Sequence, residues 1–212
     1  MRRLLIALAI LAVLLVGADI GSRILTQRMV ARRIQASLHL SDRPSVSLDG
    51  FPFLLHFAEG RFPAASARGS GLRDQSVSFK GIALTLRDIR FDPGSVLSGN
   101  DRTVRASSGT GTATMTETEA NEALHARGIN ASVRFADGKV FVRSPLLRRE
   151  IPARLSVSGR VLVVHSSDPA VPQSFSVALP QFLAGLHFTS VRIEGSTIVL
   201  GFRLGPLSLG TS

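Results

Sequence analysis

The first apolar segment of the chain is an uninterrupted run of 13 residues, Leu4 to Val16, which follows Met1-Arg2-Arg3. A bilayer-spanning helix needs about 20 apolar residues, so the run is short for a membrane span and typical of a signal peptide. Val16-Gly17-Ala18 suits a signal-peptidase site. We therefore expect export, with residues 1–18 as a signal peptide or signal anchor and residues 19–212 as one exported domain.

Four arginines follow this run, at positions Arg23, Arg28, Arg32 and Arg33. Cations next to a membrane span favour the cytoplasmic side, so the positive-inside rule does not clearly favour sending these arginines outward. An uncleaved anchor that tethers the domain to the membrane is the alternative to cleavage.

Residues 19–38 have the apolar spacing of a helix. One stripe is interrupted by Gln27 and consists of Ile20, Ile24, Ala31, Ile34 and Leu38. A helix that covers a sheet suits this pattern, and so does a basic helix that lies at an anionic membrane surface.

From Ser45 onward the apolar positions alternate with a period of two, which predicts strands. Asp137-Gly138 is a hairpin signal, and a second hairpin is centred on Glu194-Gly195-Ser196. The exception is Thr116-Glu117-Thr118-Glu119, a capping box that starts a short helix ending near Gly128. The pattern predicts an α+β fold in which a curved, mainly antiparallel sheet wraps around or packs against the N-terminal helix.

The strand predicted at residues 103–116 carries small side chains such as Ala106, Ser108 and Thr112. Side chains this small are compatible with an exposed or edge strand, and also with a strand that faces a cavity.

The densest apolar stretch is the bend between Gly50 and Gly60-Arg61-Phe62, which contains four of the twelve Phe residues of the chain. Such a cluster forms either the corner of a core or the lip of a cavity that accepts an acyl chain. For the second case, the candidate lining residues are Phe51, Phe53, Leu54, Phe57 and Phe62.

The chain has 25 Lys and Arg against 15 Asp and Glu, a formal net charge of +10, and its only lysines are Lys80 and Lys139. Because Arg binds phosphate oxygens bidentately, an anionic partner is favoured. The absence of Tyr, Trp and any basic run interleaved with aromatics argues against nucleic acid. Without Cys, a disulfide or a thiolate metal site is excluded.

The densest cationic segment of the exported half is Arg143-Ser144-Pro145-Leu146-Leu147-Arg148-Arg149-Glu150. It is either a solvated loop or a site where arginines hold a phosphate head group. The candidate head-group residues are Arg143, Arg148, Arg149 and Arg154.

No motif for catalysis or for a cofactor is present. The five histidines are scattered without a metal-binding spacing, and there is no G-x-S-x-G elbow and no phosphate-binding loop. We expect no cofactor and no enzymatic activity.

The motif Gly50-Phe51-Pro52-Phe53-Leu54, with Gly60-Arg61-Phe62, Leu179-Pro180 and the hairpin Val191 to Phe202, resembles the actinobacterial LmeA-like family over roughly residues 20–205. The resemblance implies a non-enzymatic, phospholipid-binding protein of the cell envelope. It also implies an elongated, curved sheet and helix that resemble the tubular lipid-binding folds.

The leading hypothesis is therefore the binding of an anionic phospholipid at the outer face of the cytoplasmic membrane, through an apolar groove with Arg contacts to the head group. A periplasmic scaffold or chaperone that binds another envelope protein through an apolar face is the second hypothesis. A hydrolase of envelope lipid or glycan is the third, and it predicts titratable groups with perturbed pKa values inside the groove.

Overall fold

The computed structural model describes residues 2–38, 40–74, 77–98, 103–143, 149–168, 174–179, 181 and 183–209. Within them the helices are α1 (Arg2–Leu38), α2 (Phe53–Ala58), α3 (Pro93–Ser98) and α4 (Glu117–Ala126). The strands are β1 (Ser45–Asp49), β2 (Arg61–Asp74), β3 (Val77–Phe91), β4 (Val104–Thr116), β5 (Ser132–Ala136), β6 (Lys139–Arg143), β7 (Ile151–Ser158), β8 (Val161–Ser166), β9 (Ser174–Ala178), β10 (Leu186–Glu194), β11 (Thr197–Leu204) and β12 (Leu207–Leu209).

The strands form two sheets in which every described pair is antiparallel. The first sheet has the order β1-β2-β3-β4-β11-β10, with β12 beside β4, and the second has the order β5-β6-β7-β8-β9. A backbone hydrogen bond of 2.7 Å from Phe188 N to Gly159 O joins them. The α+β class is confirmed, but the strands are divided between two sheets where the sequence pattern predicted one.

The main core lies between the two sheets and α4, and it includes Phe79, Phe188 and Phe202. A smaller cluster lies at the other end of the first sheet, where Phe53 and Phe62 pack on Leu48 and Ile89. The two apolar centres meet at Leu86 and Leu207, which pack against both.

Helix α1 is 37 residues long, and its stretch Ala9–Ser37 is long and apolar enough to cross a membrane. Of the predicted apolar stripe, Ala31 is buried and Ile34 packs against the core, whereas Ile20 and Ile24 are exposed. The polar residues Asp19 and Gln27, instead of Ile20 and Ile24, lie on the face of α1 that contacts the rest of the protein. With its carboxamide oriented to satisfy both neighbours, Gln27 accepts hydrogen bonds from Leu48 N at 3.1 Å and from Arg23 Nε. Since β1 is an edge strand, Gln27 supplies an acceptor that no neighbouring strand provides.

The small residues of β4 lie neither at an edge nor in the lining of a described cavity, although Met115 near the end of the strand borders one. The strand lies between β3 and β11, and neighbouring side chains fill the room above it. The ring of Phe202 occupies the place of a side chain at Gly111, and Leu204 and Leu86 occupy the place at Gly109. Small residues in β4 therefore serve the packing of large residues on the adjoining strands.

Candidate functional site

An apolar cavity of about 50 Å³ lies beneath α4, between the second sheet and the ends of three strands of the first. The described side chains that line it number sixteen, and all are apolar: Val77, Met115, Ala120, Ala123, Leu124, Val133, Phe135, Val140, Leu155, Leu162, Val164, Phe175, Val177, Leu179, Ile198 and Leu200. We call it the α4 cavity. Its volume is a third of the roughly 150 Å³ that accepts a benzene molecule in an engineered apolar cavity.

Helix α4 begins at the predicted capping box. The Thr116 hydroxyl accepts a hydrogen bond from Glu119 N, and the Glu119 carboxylate accepts one from Thr116 N at 2.7 Å. Two further side chains join the helix to β5. Asn121 bonds both backbone groups of Val133, at 2.6 and 3.0 Å, and Glu117 accepts from Phe135 N at 3.1 Å. One side of α4 is thus held at an edge of the second sheet by three hydrogen bonds.

The opposite edge of the second sheet is β9, and one described hydrogen bond joins it to the end of α4. The half-buried Arg127 donates from Nη2 to the carbonyl oxygen of Ala178 at 2.6 Å. Leu124, Val177 and Leu179, which flank this contact in sequence, line the α4 cavity. Within the part of the chain that the structure describes, no carboxylate pairs with Arg127. Among the described residues the guanidinium thus has no carboxylate partner, and it lies close in sequence to the lining residue Leu124 and bonds between Val177 and Leu179.

The bend at residues 50–62, which we call the aromatic corner, contains the short helix α2. The five predicted lining residues separate into two groups there. Phe53 and Phe62 are buried and stack at 5.2 Å between ring centroids, and half-buried Phe57 packs beside them. Phe51 and Leu54 are exposed, at 69% and 42%. All five lie outside the lining of the α4 cavity, and their role in acyl-chain binding stays a prediction.

The aromatic corner is held in place by Asp19, a residue whose contact was not predicted from the sequence. Asp19 of α1 is buried, and its carboxylate accepts hydrogen bonds from Phe53 N at 2.9 Å and Leu54 N at 2.7 Å. Pro52 stands at the N-cap of α2 and makes no side-chain cap bond, so Asp19 caps the helix from 34 residues away. No local sequence signal links positions so far apart.

Two of the predicted head-group arginines are paired: Arg143, the last residue of β6, and Arg149, which precedes β7. Arg143 bonds Glu150 at 3.0 Å, and Arg149 bonds Asp168. Hydrogen bonds from Arg134 hold the pKa of Glu150 below its ordinary value, so this acceptor is ionised at neutral pH. The two described arginines of this segment, Arg143 and Arg149, therefore each have a carboxylate partner, and Glu150 is shared with Arg134.

The other two predicted head-group residues are Arg154 and Arg148. Arg154 is exposed and unpaired among the described residues, but it alternates along β7 with Leu155, which lines the cavity, so it lies on the opposite face of the sheet. Arg148 lies outside the described residues. The head-group role of all four stays a prediction.

The geometry defines an α+β protein with a helix-covered apolar cavity and an apolar N-terminal helix. The model of the LmeA-like phospholipid-binding family matches residues 17–206, and the chain belongs to that family. It is a lipid-binding family and not a known enzyme family. Searches of curated proteins and of solved structures give no match to the chain.

Proposed function

We propose that the protein binds one phospholipid, with an acyl chain in the α4 cavity and an anionic head group at Arg127, on the outer side of the cytoplasmic membrane. The observation that carries the proposal is that the sixteen described side chains in the lining of the cavity are all apolar. Such a surface accepts hydrocarbon and offers no group for chemistry. Membership of a phospholipid-binding family supports the same ligand class.

Entry of an acyl chain requires α4 and the second sheet to move apart, because the cavity is only about 50 Å³. The two sides of α4 differ in how firmly they are held. Among the described residues, three hydrogen bonds join it to β5, whereas one, from Arg127, joins its C-terminal end to β9. Opening therefore occurs at β9, and Arg127 lies in the gap that opens.

Arg127 suits the phosphate of a lipid for two reasons. Its guanidinium has five donors, of which the contact with Ala178 uses one, and no described carboxylate competes for the rest. Its position beside Leu124 also lets one ligand place its acyl chain in the cavity and its phosphate at the rim. This favours Arg127 over the predicted Arg143 and Arg149, which are already paired.

The energetic balance favours reversible binding. Burial of hydrocarbon contributes about 0.8 kcal/mol per methylene relative to water, but a lipid drawn from a bilayer gives up the same contribution there. The transfer of the acyl chain is thus nearly neutral. The affinity is therefore set by the head-group contact and by the cost of opening the cavity. Such a balance lets the lipid bind and leave, which a protein that carries or senses lipid requires.

The test begins with the full chain, purified in mild detergent from the membranes of the producing cell. Mass spectrometry of an organic extract is expected to show phospholipid in a near-equimolar amount. Delipidated protein should then reload phosphatidylglycerol in preference to phosphatidylcholine, as followed by native mass spectrometry. Delipidated protein that takes up neither lipid contradicts the proposal. A stoichiometric protein partner recovered without lipid supports the alternative of a scaffold.

A further inference from the structure

An exposed apolar surface lies next to the apolar part of α1. Phe51, Leu54 and Leu55, which we call the apolar tip, are 69%, 42% and 53% exposed. No Asp, Glu, Lys or Arg occurs in residues 50–58, which contain the tip. Exposure of three large apolar side chains together is unfavourable in water, so the surface indicates a partner.

The apolar tip is held at a fixed position along the axis of α1, at the level of Asp19. The carboxylate of Asp19 accepts hydrogen bonds from Phe53 N and Leu54 N, within the same turn as the tip. Val16, the last residue of the apolar run, precedes Asp19 by about 4.5 Å along a helix axis. The tip therefore lies beside the point where the apolar run ends.

The length of the apolar run explains why a second apolar surface is needed at that height. Residues 4–18 cover about 22 Å as a helix, whereas the hydrocarbon core of a bilayer is about 30 Å thick. The side chains of Val13, Leu14 and Val16 are exposed, so the protein itself does not cover this part of α1. A bilayer around α1 thus reaches past Val16, to the level of the tip.

The charges on α1 agree with this height. After Val16 the first cation is Arg23, about 6 Å beyond Asp19, and Arg28, Arg32 and Arg33 lie still further from the apolar run. These three are exposed, and at such a distance they face anionic head groups and water. Asp19 itself is buried, and its two backbone donors replace the water that it loses.

We propose that Phe51, Leu54 and Leu55 insert into the surface of the phospholipid bilayer that α1 enters, with α1 retained as an anchor. The domain is then attached to one membrane at two adjacent points joined by Asp19. Two attachments fix the orientation of the domain, which a single flexible anchor does not. The inference rests on α1 and α2, and it is independent of lipid uptake into the α4 cavity.

The chain has no Trp and no Tyr, so one introduced Trp is a clean fluorescent reporter. Phe51→Trp is placed in the full chain, in vesicles of phosphatidylcholine and phosphatidylglycerol with or without bromine on the upper acyl carbons. Val13→Trp reports insertion of α1. Val161→Trp, at a position 41% exposed on the second sheet, is the matched control. Because Phe51 is mostly exposed, the substitution removes little packing.

We expect brominated lipid to quench the emission of the Phe51→Trp and Val13→Trp variants at least twofold and to leave that of Val161→Trp unchanged. Three results overturn the inference. The first is that brominated lipid leaves the emission of Phe51→Trp unchanged while aqueous acrylamide quenches it. The second is that brominated lipid leaves the emission of Val13→Trp unchanged. The third is that neither brominated lipid nor aqueous acrylamide quenches the emission of Phe51→Trp. The last result identifies a protein surface, such as a second copy of the chain, as the partner of the tip. Phe51 and Val13 lie outside the described lining of the α4 cavity, so lipid uptake there does not account for quenching of either reporter.

Discussion

The carboxylate of Asp19 accepts a hydrogen bond from the backbone N–H of Phe53 at 2.9 Å, and the two residues are 34 positions apart. This contact joins the N-terminal helix to the aromatic corner. A second bond, from Leu54 N at 2.7 Å, completes the cap of α2.

Replacement of Asp19 by Ala should destabilise the domain by about 1–2 kcal/mol, because two N–H groups at a buried position lose their acceptor. Asp19→Asn keeps one acceptor oxygen, and its stability should lie between that of Asp19→Ala and that of the parent chain. Urea unfolding in mild detergent, followed by circular dichroism, measures the difference. Equal stability of all three proteins would contradict the cap.

A second prediction concerns Gly60, which lies in the aromatic corner between α2 and β2. Its φ is +66°, and a Cβ there would overlap the carbonyl oxygen of Phe91. Gly128 has a similar φ of +72° but open space around it. Gly128→Ala should cost about 1–2 kcal/mol for the left-handed backbone alone, and Gly60→Ala clearly more. Unfolding midpoints that fall by the same amount in both variants would show that the approach to Phe91 is not tight.

The third prediction separates the α4 cavity from the packed core. Ala123→Leu adds bulk where the cavity has room, so it should reduce bound phospholipid while costing less than about 1 kcal/mol. Ala113→Leu adds the same bulk at a fully buried position that does not line the cavity, and it should cost about 1–3 kcal/mol. Native mass spectrometry and urea unfolding on both variants check the pair. Undiminished lipid binding in Ala123→Leu would argue against the cavity.

The two head-group hypotheses make opposite predictions for Arg127 and Arg154. Each Arg→Gln variant loses one positive charge, so net charge does not distinguish them. We expect Arg127→Gln to lose the preference for phosphatidylglycerol over phosphatidylcholine and Arg154→Gln to keep it, because Arg154 lies on the sheet face opposite the cavity. Competition between the two lipids for delipidated protein measures the preference. The reverse outcome would favour the arginines singled out from the sequence.

Several elements were predictable because their signals are local. Thr116 and Glu119 form the predicted capping box, and Gly128 follows with positive φ. Asp137 and Gly138 both adopt the left-handed backbone that a tight hairpin turn requires. In each case, residues within four positions of one another determine the geometry.

The division into two sheets and the site itself were not predictable, because they depend on distant pairs. The register that places Phe202 opposite Gly111 joins β11 to β4 across some 90 residues, and periodicity does not specify a partner strand. Arg127 carries no sequence signal of its own, because its contact with Ala178 joins residues 51 positions apart. Likewise, the aromatic corner was identified from its composition, but its separation from the α4 cavity follows from tertiary packing alone.

The central claim is that a phospholipid acyl chain lies between α4 and the second sheet. The most direct measurement uses a phospholipid with a photoactivatable diazirine at the end of its acyl chain, bound to the delipidated full chain and mapped by peptide mass spectrometry. We predict adducts at lining residues of α4 and β9, such as Leu124 and Val177. Adducts confined to α1 and the aromatic corner would contradict the claim.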